Sequence, residues 1–87
     1  MNLLKVTEDI TKQELHDNIG QIVILNYLID TFNDKEIRKD VSGPLTFNAH
    51  TDKYMVYNVN ADDDLTFTID NVMEVEYTHG VLKIILV

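Results

Sequence analysis

Apolar and polar positions change their period at Gly20, and that change divides the chain. Before it, Thr11-Lys12-Gln13-Glu14 fits a capping box, with the Thr11 hydroxyl placed for the Glu14 amide and the Glu14 carboxylate reaching back. Leu15 and Ile19 then share one helical face, and Gly20 can close the helix, so the spacing predicts a short helix over Lys12 to Asn18. Upstream, Leu3-Leu4-Lys5-Val6 suits either an edge strand or a helical start. After Gly20, Ile22 to Ile29 is apolar at nearly every position, the pattern of a strand covered on both sides.

The rest of the chain reads as strands and turns. Asp30 to Ser42 is polar with mixed charge, a long loop or a pair of strand extensions around Asn33-Asp34. Gly43-Pro44 marks a break. Leu45, Phe47 and Ala49 alternate with polar neighbours, and Thr51-Asp52 turns the chain into a strand from Lys53 to Val59. Asn60 to Asp64 reads as a turn. Leu65, Phe67 and Ile69 then alternate with Thr66, Thr68 and Asp70, and Met73, Val75 and Tyr77 with Glu74 and Glu76. Thr78-His79-Gly80 is a tight hairpin signal before a last strand from Val81 to Val87. Phe47, Phe67, Ile69 and Val75 are the expected core.

This is one mainly β (α+β) domain over residues 1–87: a short N-terminal helix followed by five or six strands. A strongly bent antiparallel sheet closing into a small barrel would hide the edges of so short a chain. The stretches "NIGQIVILNYL", "GPLTFNAHTDKYMVYNV" and "FTIDNVMEVEY" together resemble the Sm-like and SH3-like small barrels. In those a glycine precedes the first strand, another opens the second, and an xNVxxV segment closes the sheet. The resemblance covers about Thr11 to Tyr77. It implies RNA contacts near "TDKY" and within "TIDNVMEV". The second segment holds no Lys or Arg to meet a phosphate, so direct nucleic-acid binding is not expected.

Charge narrows the function. The 87 residues hold 15 acids against seven bases, a net charge of −8, and no Cys. A nucleic-acid backbone and an anionic membrane both repel such a chain. No disulfide or thiolate chemistry is available. Neither a signal peptide nor a spanning apolar run is evident, so a cytoplasmic protein is expected. The compact acidic chain also looks like the small accessory proteins of phages and mobile elements.

Catalysis finds little support. Ser42 is the only Ser, and it reads as a turn residue beside Gly43 without the elbow a nucleophile needs near His16, His50 or His79. Asn58, Asn60 and Asp62 match the first ligand types of a calcium loop, but Asp63 replaces its Gly and Ile69 its final Glu, so no metal or other cofactor is expected.

What remains is the acidity of Asn60 to Tyr77. Asp62, Asp63, Asp64, Asp70, Glu74 and Glu76 lie in a region, Tyr54 to Leu82, without any Lys or Arg. If the alternating apolar residues face inward, Asp70, Glu74 and Glu76 face out, with the Asp62–Asp64 turn at one end of the same hairpin. Interspersed charges serve solubility better than clustered ones. A rigid array of carboxylates instead imitates the phosphates of a nucleic acid. The expected function is therefore a non-enzymatic inhibitor of phage type. It would fill the basic channel of a host nucleic-acid-binding protein such as a CRISPR effector, restriction or repair enzyme. The alternative is an Sm-like or SH3-like module that forms homo-oligomers through its strand edges.

Overall fold

The computed structural model describes residues 11–87, so the expectations for Leu3 to Val6 lie outside it. Residues 11–17 are helical (α1). Thr11, expected as the N-terminal cap, is itself helical. Leu15 is fully buried. Its intended partner Ile19 lies past the helix and is 39% exposed. The chain leaves α1 under tight control. The Asn18 amide donates to the Leu15 carbonyl at 3.0 Å, the Gly20 amide to the Leu45 carbonyl at 2.8 Å, and the Leu45 amide to the Gln21 carbonyl at 3.0 Å.

Six strands follow: β1 (Ile22–Phe32), β2 (Lys35–Asn48), β3 (Lys53–Asn58), β4 (Asp63–Phe67), β5 (Val72–Thr78) and β6 (Val81–Leu86), with a 3-10 turn, Ile69–Asn71, between β4 and β5. They form one sheet in the order β4-β3-β2-β1-β6-β5. Neighbours are antiparallel except β1 and β6, which run parallel with Ile24 opposite Lys83 and Asn26 opposite Ile85. Two expectations are corrected here. The sheet is mixed rather than antiparallel, because the β5–β6 hairpin lies beside β1 with β6 innermost. The sheet also does not close into a barrel, since β4 and β5 end the strand order unpaired with each other.

The bend comes from β2. Its first part pairs with β1 as far as Pro44, opposite Ile22, and Leu45 to Asn48 then pair with β3. Gly43-Pro44 is thus the point where one continuous strand changes partners, not a break. Gly43 must be glycine there: a Cβ would sit 1.6 Å from the Tyr57 carbonyl oxygen of β3. Ser42, expected in a turn, lies within this strand opposite Ile24.

The mixed-charge segment forms strand extensions rather than a loop. Asn33 and Asp34 both take positive φ, 51° and 63°, which suits the two-residue turn of a right-twisted hairpin. β1 is covered on one face only. Val23 and Leu25 are buried, whereas Ile22 and Ile29 are 57% and 53% exposed. Ile29 is the extra residue at a bulge between Leu28 and Asp30. Among the described residues only α1 packs on the sheet, and the other face of β1 is partly open, with Ile24 half-buried and Ile22 exposed.

The core lies on the helix side. Leu15 joins Val23, Leu25, Val41, Leu45, Tyr54, Val56, Phe67, Leu82 and Ile84 in one buried cluster. Phe47, Tyr54 and Phe67 stand in register across β2, β3 and β4, with ring centroids 4.8 Å and 5.4 Å apart. Of the expected core, Phe67 is buried, and Phe47, Ile69 and Val75 pack against its margin. Met73 and Tyr77, expected inward, are 56% and 57% exposed: Met73 is the extra residue where the β5–β6 register shifts between Val72 and Glu74, and Tyr77 lies on an edge strand. No helix among the described residues is long and apolar enough to cross a membrane.

Candidate functional site

Each of Asp62, Asp63, Asp64, Asp70, Glu74 and Glu76 is exposed. Their positions follow from three different local structures. Asp62 ends the β3–β4 turn with φ 51°, a conformation Asp tolerates better than most residues. Asp63 and Asp64 belong to β4, not to the turn as expected, and pair with Asn58 and Tyr57. Asp70 lies in the 3-10 turn. That turn is held by Asn71, whose Oδ1 accepts from the Thr68 amide at 2.9 Å and whose carbonyl accepts from the Val87 amide at 2.8 Å. Glu74 and Glu76 lie on β5, opposite Ile85 and Lys83 of β6.

The six acids therefore do not share a hairpin. Asp62–Asp64 and Glu74/Glu76 lie on the two edge strands, at opposite ends of the strand order, with Asp70 on the link between them. They are nevertheless uncompensated. The one ion pair among the described residues joins Arg38 to Glu36 at 3.4 Å and involves none of the six. Lys83 stands across from Glu76 without pairing to it. The Tyr57 hydroxyl donates to the Asp62 carboxylate. That bond, then partial burial and the nearby Asp64 charge, raises the Tyr57 pKa above its ordinary 10.0.

The calcium-loop match does not become a cation cradle. Asn58 is 8% exposed, and its Oδ1 accepts from the Asn60 amide at 3.2 Å, turned toward the backbone. Among the described residues no three acidic or imidazole groups converge. The three histidines are scattered. His16 Nε2 lies 2.9 Å from the Tyr54 hydroxyl, with its ring edge-on to Phe47. Burial, with a smaller contribution from the Asp52 charge, raises the Tyr54 pKa. His50 and His79 occupy turns, whereas Ser42 lies within β2.

Three further surface features stand out, and of these sequence reasoning anticipated only the strand extensions around Asn33-Asp34. First, the outer edge of β5 has no strand beside it among the described residues. Second, β1 and β2 run on past the sheet as a two-stranded arm, because β6 reaches only Ile24–Asn26 and β3 only Leu45–Asn48. Phe32 and Ile37 on this arm are 67% and 41% exposed. Third, Arg38 ties three strands together. Its Nε donates to Asn26 Oδ1 at 2.5 Å, its Nη2 to the Leu86 carbonyl, and Asn26 Nδ2 in turn to Asp40 Oδ1 at 2.6 Å. Only the arm had a signal, the Asn33-Asp34 turn. Open edges depend on strand order, which periodicity does not encode.

The chain matches no family model, no curated protein and no solved structure.

Proposed function

We propose that the protein is a non-enzymatic binding protein that presents carboxylates on a rigid sheet to a basic, nucleic-acid-binding partner. The observation that carries this reading is the exposure of all six acids together with their lack of ion pairs among the described residues. Four of the six, Asp63, Asp64, Glu74 and Glu76, are fixed on strands and lose little freedom on binding, and none of the six has an ion pair among the described residues to give up. Such a surface gains its partner through steering and complementarity. An inhibitor that fills a nucleic-acid channel by mimicking phosphates is the most economical role for it, and a phage or mobile element acting on a host enzyme is the setting we favour.

A second reading has its own support. Two uncovered sheet edges suit an SH3-like or Sm-like module that self-associates. The acids on both edges count against pairing like with like.

The test is retention of host proteins on the immobilised protein at two salt concentrations, beside the Asp63→Lys/Glu74→Lys variant. Basic nucleic-acid-binding proteins should bind the wild type, leave as the Debye length falls below about 8 Å, and ignore the variant. Retention of the same proteins by both would assign the acids to solubility. A stable oligomer without any partner would favour the module.

A further inference from the structure

We propose that the free edge of β5 takes up an extended, basic segment of a partner protein as an added strand. This rests on the acidic-surface reading and gives the partner a geometry. β5 turns into β6 through two residues, His79 and Gly80, with φ 52° and 81°, and Thr78 stands opposite Val81. In such a hairpin the pair flanking the turn exchanges both backbone hydrogen bonds, and every second pair beyond it does the same. Thr78, Glu76 and Glu74 thereby commit their backbone groups to β6. The N–H and C=O of Val75 and Tyr77 point the other way, to the open side, where the strand order places no neighbour among the described residues. A row of unpaired backbone groups is a template for another strand.

The side chains define the occupant. Glu74 and Glu76 project from one face, in the row of Ile85 and Lys83. Val75 projects from the other, opposite buried Ile84, and Tyr77 beside it is half-exposed, its hydroxyl accepting from Asn18 Nδ2 at 3.0 Å. A strand laid along this edge sets alternate residues beside the two glutamates and the intervening ones beside Val75 and Tyr77. Lys or Arg alternating with Val, Ile or an aromatic residue complements both rows.

A second copy fits poorly. Two β5 strands paired antiparallel about Val75 or Glu76 would set glutamate against glutamate, which destabilises a sheet. The other open edge, β4, begins with Asp63 and Asp64. The most basic strand segment among the described residues, Lys35 to Lys39, is already paired within the β1–β2 hairpin. Charge thus selects a foreign basic strand over self-association.

The experiment uses two synthetic peptides of about eight residues, a strand's length. One repeats Lys-Val. The other repeats Lys-Pro, which keeps the charge but removes alternate backbone donors. Affinity is read at low salt, together with amide hydrogen exchange of the protein. The Lys-Val peptide should bind about tenfold tighter than Lys-Pro, as two or three lost backbone bonds would give, and should slow exchange at Val75 and Tyr77. The Glu74→Gln/Glu76→Gln variant, with an unchanged circular dichroism spectrum, should lose about tenfold in affinity for Lys-Val. Equal binding of the two peptides, or binding without protection at Val75 and Tyr77, overturns strand addition and leaves the acidic-surface reading standing. Binding of neither peptide brings down both.

Discussion

Replacing Gly43 with alanine tests the point on which the bend of the sheet depends. The new Cβ would lie 1.6 Å from the Tyr57 oxygen and 2.7 Å from its carbonyl carbon. Ordinary carbon–oxygen contact needs more than 3 Å, so β2 and β3 must part by about 1.5 Å. Both colliding groups are main chain, and no side-chain rotation relieves them. Parting the strands strains the ladder from Leu45–Val56 to Asn48–Lys53 and opens the core beside Val56 and Leu45, both fully buried. Overpacking a core usually costs about 1–3 kcal/mol. With backbone on both sides and several ladder bonds stretched, we expect about 3–5 kcal/mol. A chain of this size has about 4–13 kcal/mol in all. The assay is urea unfolding followed by circular dichroism and tyrosine fluorescence. Gly80→Ala is the control, since no atom lies within 4 Å and only its φ of 81° is strained, which costs about 1 kcal/mol. If Gly43→Ala proved no worse than Gly80→Ala, with an unchanged denaturant slope, the junction would not be as tight as described.

Phe67→Ala should destabilise the fold by about 3–5 kcal/mol in the same assay, because the ring is 3% exposed and stacks on Tyr54 at 5.4 Å. Tyr54 and Tyr57 should ionise above the ordinary value of 10.0 in an ultraviolet titration, and Tyr54→Phe and Tyr57→Phe should each remove one late-titrating group. For Tyr54, a pKa raised by folding means that its contribution is complete below pH 10 and is lost as pH climbs through the folded value, so alkaline unfolding should begin there. Micromolar Ca²⁺ should leave the melting temperature unchanged, and a rise of several degrees would show that the Asn58–Asp64 segment holds a cation after all.

Much of the strand pattern was readable because local chemistry set it. Asn33-Asp34 and His79-Gly80 supply the positive φ of two-residue turns, and strict alternation placed Phe67 inside and Asp70, Glu74 and Glu76 outside. What stayed hidden depends on partners distant in sequence. The apolar run of β1 promised cover on both faces, but no second helix or sheet among the described residues lies on the other face. Met73 and Tyr77 alternate as core residues do, yet Met73 falls at a bulge in β5 and Tyr77 on a sheet edge, and both are exposed. Ile69 continues the alternation of β4, but the chain turns 3-10 there to reach β5. The exposure of the six acids was legible one residue at a time. Their division between the two edges was not, because it follows from the parallel placement of β6 beside β1.

That parallel pair also fixes when the molecule can fold. The β2–β3–β4 meander and the β5–β6 hairpin close over short loops, whereas joining Ile24 to Lys83 means bringing together distant parts of the chain. Contacts of that separation carry their loop entropy before any reward and slow folding. Leu82 and Ile84 complete the core around Leu25. A nascent chain therefore cannot bury its centre until translation has passed Ile84. Until then the core around Val23 and Leu25 lacks Leu82 and Ile84, and that side of β1 stays open to other chains.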